Sequence, residues 1–353
     1  MPAARPVTEA ASRQVALGGL GEALWTMGRR SLPVVQLLGR RITRRKSPFQ
    51  VTFSLTNRCN FRCDYCHIPL QERAEMTTAE WRAAIDEFAD AGMGRASFMG
   101  GEPLLRKDLP ELIDHVKRRG VHASLNTNGW LVPQYIDALA RLDLVCLTLD
   151  GPAEVHDAQR HPGSYARVLD ALELLRSRGT KTVTMTVLTE TSIDTVDHVL
   201  EVARRFDMQA FFQLEHDAGM DVSLPIAPRV TGARIAALSD KLAARKREGW
   251  PVGNSLAILE AQRDRRHLGG CDTCYAGTYF AYVFSDGTVS HCLFTLGQVP
   301  GNNGRTRGFM RAFQELAAPE GPGCSCVPSH EVNRMLDFDP RVLRNALDTA
   351  LTR

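Results

Sequence analysis

No apolar stretch in the 353 residues is long enough to span a bilayer, and the amino terminus lacks the apolar core and small-residue cleavage site of a secretory signal. Both absences lead to the expectation of a cytoplasmic protein. Charge of one sign is missing too: 43 basic residues stand against 40 acidic ones, and a net +3 makes no general case for nucleic-acid binding. There is no internal repeat and no low-complexity tract, which excludes solenoid and fibrous architectures. Nine cysteines are too few for a disulfide-dense secreted scaffold, and all but Cys146 fall in close clusters. Cys146 lies in an apolar run, where a buried structural thiol is expected.

What is present reads as a large α/β protein. From residue 50 to about 215, strand-like and helical segments alternate, the signature of parallel strands with helical crossovers. The strands are expected at 50–55, 95–99, 122–127, 144–149, 181–188 and 210–214. A capping box at Thr77 and Glu80 should start the first crossover helix, with Trp81, Ile85, Phe88 and Met93 on its apolar face. Six such units make an incomplete (β/α)6 TIM barrel, in which chemistry gathers at the C-terminal ends of the strands.

Before the barrel, residues 1–46 are expected to be a disordered tip and a basic amphipathic helical extension: Arg29, Arg30, Arg40, Arg41, Arg44, Arg45 and Lys46 are opposed by Glu22. Such a segment suits either peripheral contact with an anionic membrane surface or packing across the floor of the next domain. Domains are expected at 47–225 (core), 226–262 (helical linker), 263–330 (a small cysteine-rich β-hairpin module) and 331–353 (helical tail).

Cys59, Cys63 and Cys66 form a C-x3-C-x2-C triplet directly after the first strand. Three thiolates can ligate three irons of a [4Fe-4S] cube and leave the fourth iron open to a cofactor, whereas four would close it. A zinc knuckle is the alternative, although zinc prefers four ligands and paired spacing. At the end of the second strand, Gly100 and Gly101 permit close backbone approach to a ligand, and Glu102 can accept hydrogen bonds from an ammonium. Asn126 opens a turn after strand three, and Thr148, Asp150 and Arg160 follow strand four.

In combination these motifs resemble the radical S-adenosylmethionine (SAM) superfamily over about residues 50–215. The resemblance implies that Cys59, Cys63 and Cys66 hold the cluster, that Tyr65 packs by the adenine, and that the Gly-Gly-Glu-Pro run at 100–103 binds the SAM amino group. It also implies that Thr148 meets the ribose and that Arg160 pairs with the SAM carboxylate. A low-potential donor such as flavodoxin or ferredoxin would reduce the cluster, SAM would be cleaved to a 5′-deoxyadenosyl radical, and that radical would take hydrogen from substrate.

Cys274, Gly287 and Cys292 form a C-x12-G-x4-C hairpin that resembles the auxiliary-cluster modules called twitch and SPASM. Cys271, Cys274, Cys292, Cys324 and Cys326 then compete for a second [4Fe-4S] cluster, with structural zinc as the alternative. A closed auxiliary cluster would take an electron back and favour an oxidative outcome. After strand six, Glu215, His216 and Asp217 are candidate acid or base groups. The short helical amino-terminal segment is unlike a peptide-clasping domain, so the substrate is expected to be a lipid-like or other small molecule. The alternatives are a ribosomal peptide or protein, and, in another class, a non-catalytic iron–sulfur or zinc protein.

Overall fold

The computed structural model describes residues 39–42, 46–215, 230–264, 274–293, 301–317 and 326–351. Its centre is a sheet of strands β1 (Gln50–Ser54), β2 (Arg95–Met99), β3 (His122–Thr127), β4 (Leu144–Thr148), β5 (Thr182–Leu188) and β6 (Gln209–Leu214), each parallel to the next. The crossovers are carried by α1 (Thr78–Asp90), α2 (Leu109–Arg118), α3 (Val132–Leu139), α4 (Ala153–Gln159), α5 (Ser164–Ser177) and α6 (Val196–Arg205). The sheet does not close on itself, as expected for a partial barrel.

Side-chain alternation decides which face is core. Ala96 and Phe98 on β2, and Ala123 and Leu125 on β3, are fully buried in the main hydrophobic cluster with Trp81, Ile85, Phe88 and Leu112 of the helices. Their neighbours Arg95, Ser97, Met99, Ser124 and Asn126 are half-buried on the other face. That second face, uncovered by the crossover helices, lines the concave interior.

Helix α1 shows how local sequence and packing agree. The Thr77 N–H donates to Glu80 Oε2 at 2.8 Å while the Glu80 N–H donates to Thr77 Oγ1 at 3.3 Å, closing the expected capping box. Trp81, Ala84, Ile85 and Phe88 then recur on one buried face, and the Trp81 ring meets Phe53 of β1 edge-on at 5.9 Å. Each large side chain so buried contributes about 1.5–3 kcal/mol.

The carboxy-terminal region extends the same sheet. Strand β7 (Phe280–Val283) pairs in parallel with β1, placing Tyr282 opposite Thr52, and β8 (Thr288–Ser290) and β9 (Asn302–Asn303) follow antiparallel. Gly287, at φ +87°, makes the expected hairpin turn, its N–H donating to the Phe284 carbonyl at 2.9 Å. Beyond a single helical turn at Gly304–Arg307, the remaining α-helices among the described residues are α7 (Gly232–Arg247), α8 (Leu256–Arg263), α9 (Phe309–Gln314), α10 (Val327–Leu336) and α11 (Pro340–Leu351). Helix α10 reaches both sides of the opening: the Val327 N–H donates to Gln213 Oε1 on β6 at 2.6 Å, and Asn333 Oδ1 accepts from the Tyr275 N–H near β7 at 3.0 Å.

Most of the basic amino-terminal extension lies outside the described residues. Its described cations turn toward protein: Arg41 Nε donates to Tyr275 Oη at 2.9 Å, Lys46 Nζ donates to the Gln314 and Leu316 carbonyls, and the Arg40 guanidinium lies 5.2 Å from the Phe49 ring centroid. Among the described residues no helix is long and apolar enough to cross a membrane.

Candidate functional site

The chain leaves β1 at Leu55 and loops through the three cysteines before 3-10 helix Ile68–Leu70. Both ends of this loop are tied down. Arg58 pairs with Glu75 at 2.8 Å, and the buried Arg106 reaches Glu75, the Leu55 carbonyl and the Met76 carbonyl. Within the loop the Cys66 N–H donates to the Cys63 carbonyl at 3.0 Å, and the Phe61 N–H donates to Cys59 Sγ at 3.4 Å. Burial pushes all three thiols up, Cys63 to about 12, and Arg160 pulls each down. Cys59 and Cys63 are also raised by the charge of the other cysteines, so the thiols share one electrostatic environment.

This donor set fits the expected cluster: three half-buried free thiols on one short loop. Bound iron would reverse the balance that now keeps them protonated. Among the described residues no three His, Cys, Asp or Glu side chains form a group that could hold a single metal ion.

The two glycines after β2 do something the sequence reading did not foresee. A Cβ on Gly100 would lie 2.3 Å from the Thr56 carbonyl oxygen, and one on Gly101 would lie 2.3 Å from that of Arg58. The Gly101 and Glu102 N–H groups donate to those same two carbonyls, at 2.7 and 2.9 Å. Close approach is thus made to the backbone of the cysteine loop, where the sequence reading expected a ligand.

Glu102 itself is only 1% exposed. Its Oε1 accepts from the Leu104 N–H at 3.0 Å and from Thr127 Oγ1 at 2.9 Å, and its Oε2 accepts from the Asn128 N–H at 2.8 Å. An ionised carboxylate has about four lone-pair sites, so one stays open for an ammonium. Burial raises the Glu102 pKa to about 7, against the hydrogen bonds from Asn128, Leu104 and Thr127.

The fold therefore favours the protonated acid. Its contribution to stability is complete below the ordinary 4.5 and is lost as pH rises through 7, by about 3 kcal/mol in all. Urea unfolding of metal-free wild type and Glu102→Gln between pH 4.5 and 7 should show this loss only in wild type. His156 and His122, both pushed down to about 4 chiefly by burial, act with the opposite sign and cancel in the comparison. Parallel pH profiles for the two proteins would remove Glu102 from this account.

Thr127 and Asn128 were not singled out from sequence, which pointed to Asn126. Asn126 is half-buried on the interior face, whereas Asn128 Nδ2 donates to Asn60 Oδ1 in the cysteine loop at 2.8 Å. The signal was available in the turn that follows, Thr127-Asn128-Gly129, two positions beyond Asn126. Thr148 ends β4 half-buried, beside the loop that carries Asp150.

Asp150 is fully buried; its Oδ1 accepts from the Val187 N–H at 2.9 Å, and its Oδ2 accepts from Tyr65 Oη at 2.7 Å and Arg160 Nη1 at 3.1 Å. Tyr65 Oη also accepts from Arg160 Nη1. This knot ties the cysteine loop to the end of β4. It leaves several buried polar atoms without a hydrogen bond among the described residues: Arg160 Nε, Gln159 Nε2, His156 Nε2 and His67 Nδ1. Orphans of this kind are costly unless a ligand satisfies them.

Of the carboxy-terminal cysteines, Cys274, Cys292 and Cys326 are half-buried, and Cys271 and Cys324 lie outside the described residues. Cys292 and Cys326, together with Cys66, raise the pKa of the buried Tyr282 after burial itself does, so both groups of cysteines reach the same tyrosine on β7. Tyr282 Oη donates to Met99 Sδ at the top of β2. Glu215 closes β6, its N–H donating to the Leu188 carbonyl at 3.0 Å; His216 and Asp217 lie outside the described residues.

Comparison with known proteins agrees with this geometry. Residues 53–203 match the model of the radical SAM superfamily. The mycofactocin maturase MftC of Mycobacterium ulcerans is 29% identical over 292 residues, covering 78% of this chain and 79% of that protein. The PqqA peptide cyclase of Xanthomonas oryzae is 30% identical over 221 residues, covering 60% of this chain and 58% of that one. Streptococcus suis SuiB bound to S-adenosylmethionine superposes with a TM-score of 0.64 at 14% identity, covering 77% and 67% of the two chains. Residues 53–203, with the cysteine loop among them, are thus the part of the chain that is similar to the radical SAM superfamily.

Proposed function

We propose that this protein is a radical SAM enzyme and that it matures a peptide. The reading rests chiefly on the convergence of later strand ends on the cysteine loop: Gly101 and Glu102 on Thr56 and Arg58, Asn128 on Asn60, and Asp150 with Arg160 on Tyr65. Cys59, Cys63 and Cys66 would hold the [4Fe-4S] cluster. The open lone pair of Glu102 suits the SAM ammonium, the orphaned Arg160 Nε suits its carboxylate, Thr148 suits the ribose, and Tyr65 would pack by the adenine. When bound, cluster and SAM supply one-electron cleavage of a C–S bond and, with it, the means to take hydrogen from an unactivated carbon. The chain's own part is to orient these groups and to keep water from them.

The substrate expectation changes. A cyclase of the PqqA peptide is among the relatives, and SuiB has been captured with its precursor peptide SuiA. These names favour the peptide that the sequence reading held as its alternative over the lipid-like molecule it put first. An extended peptide would run along the interior face past Thr52, Ser97 and Asn126.

A second cluster would draw four ligands from Cys271, Cys274, Cys292, Cys324 and Cys326, and a flavodoxin or ferredoxin would supply the electron. Anaerobic reconstitution tests both parts. About eight irons per chain, with 5′-deoxyadenosine released on reduction, is the expected result. About four irons would remove the second cluster, and well-loaded protein that leaves SAM intact would remove the enzyme reading.

A further inference from the structure

One cation on the interior face has no use in the chemistry above. Arg95 opens β2, in register with Gln50 of β1 on one side and His122 of β3 on the other. It alternates with the fully buried Ala96 and so points with Ser97 and Met99 into the concave interior. The surrounding protein is dense enough that burial pulls its pKa down, yet the side chain keeps part of its surface open.

The guanidinium makes no hydrogen bond and no ion pair among the described residues. The acid that acts on it, Asp143, forms no ion pair with it; Asp143 Oδ2 accepts from Lys117 Nζ at 2.6 Å and from the Ala123 N–H at 2.8 Å. Next to Arg95, burial keeps His122 neutral, and its Nδ1 is buried with no partner among the described residues. A desolvated, unpaired guanidinium beside an unsatisfied imidazole nitrogen works against folding, and methionine would fill the same space at less cost. Residues that lower stability in this way are characteristic of binding sites.

We infer that Arg95, with His122 beside it, forms a subsite on the barrel floor for a carboxylate of the substrate. The planar fork of the guanidinium matches a carboxylate in two parallel hydrogen bonds. Four strand steps separate Arg95 from Met99, so the floor lies about 13 Å below the end of the strand that leads to the SAM motif. A group bound at that depth must hang on an extended segment of about four residues. A peptide's acidic side chain or its free carboxy terminus can do this. The half-buried Ser97, Ser124 and Asn126 give such a segment polar contacts on its way down.

The inference rests on the peptide reading, and the test separates the two. Cluster-loaded full-length protein is immobilised and equilibrated with three hexapeptide pools: neutral with a carboxy-terminal amide, the same with a free terminal acid, and the same amide with one glutamate. Retained peptides are counted by mass spectrometry. Wild type should retain one acidic pool about tenfold over the neutral pool, and which of the two it is names the source of the carboxylate. Arg95→Met should erase the preference, Arg95→Lys should keep part of it, and Arg95→Met should melt no lower than wild type. Equal retention of all three pools by wild type, or an undiminished preference in Arg95→Met, overturns the subsite and leaves the peptide reading standing. Retention of none overturns the peptide reading and the subsite with it.

Discussion

Gly101→Ala should give a folded protein that no longer holds iron at Cys59, Cys63 and Cys66. The added Cβ would sit 2.3 Å from the Arg58 carbonyl oxygen and 2.7 Å from that of Asn57. Both obstacles are backbone, so neither can swing aside as a long side chain would. Relief requires the start of the cysteine loop to move, and with it the 2.9 Å hydrogen bond from Glu102 to Arg58.

The hydrophobic cluster built on Phe53, Trp81, Phe88 and Phe98 is untouched, so the cost in stability should stay near that of local overpacking, about 1–3 kcal/mol. The cost in function should be far larger, because a displacement of about 1 Å in a positioned reactive group lowers rates by a hundredfold or more. Iron should fall by about four per chain, the content of one cubane cluster, and SAM cleavage by at least a hundredfold. Gly120→Ala is the control. Its φ of +69° adds a left-handed penalty that Gly101 does not carry, but nothing lies within 4 Å of the added carbon, so it should keep its iron. Full iron content in Gly101→Ala would show that the cysteine loop does not depend on this contact.

The same contact marks a limit of the sequence. The bounds of β2 and β3 could be read to the residue, because each is an apolar alternation cut off by a turn signal. The capping box of α1 was equally legible, being a local pairing three residues apart. That Gly100 and Gly101 serve the cysteine loop was not, since the partner backbone lies more than forty positions earlier in the chain. Neither was the parallel pairing of β7 with β1, which joins Gln50 to Phe280. Local periodicity says whether a segment can be a strand and nothing about which distant strand it joins. At the site, the sequence pointed to Asn126 and to Arg160 as a partner for the SAM carboxylate; that Asn128 engages the loop and that Arg160 is also tied to Tyr65 and Asp150 came only from the fold.

That knot carries the second large expectation. Asp150→Ala should lower the stability of the metal-free protein by about 3–5 kcal/mol, the usual cost of removing one partner of a buried ion pair. Asp150 is fully buried and the Arg160 side chain is 8% exposed, so water cannot replace the lost carboxylate. Burial works against the guanidinium's charge, and Tyr65 and Asp150 outweigh it, raising its pKa. Without Asp150 that charge faces a desolvated site with Tyr65 as its remaining hydrogen-bond partner there. The Val187 N–H loses its acceptor as well.

Arg160→Met should also destabilise, because it leaves a buried carboxylate with Tyr65 and Val187 as its donors. The double variant Asp150→Ala with Arg160→Met should therefore be more stable than the sum of the two losses, by about 1–3 kcal/mol of coupling. Urea midpoints of the four proteins measure this directly, and simple additivity would mean that the pair contributes nothing beyond its separate contacts. SAM binding should follow a different order. Asp150→Asn keeps an acceptor for Val187 and leaves Arg160 Nε in place, so cluster-loaded protein should retain more SAM affinity than Arg160→Met. Equal losses in those two variants would assign Arg160 to the framework, with the SAM carboxylate held elsewhere. Unequal losses would make Asp150 the residue that positions Arg160, and Arg160 the one that touches the cofactor.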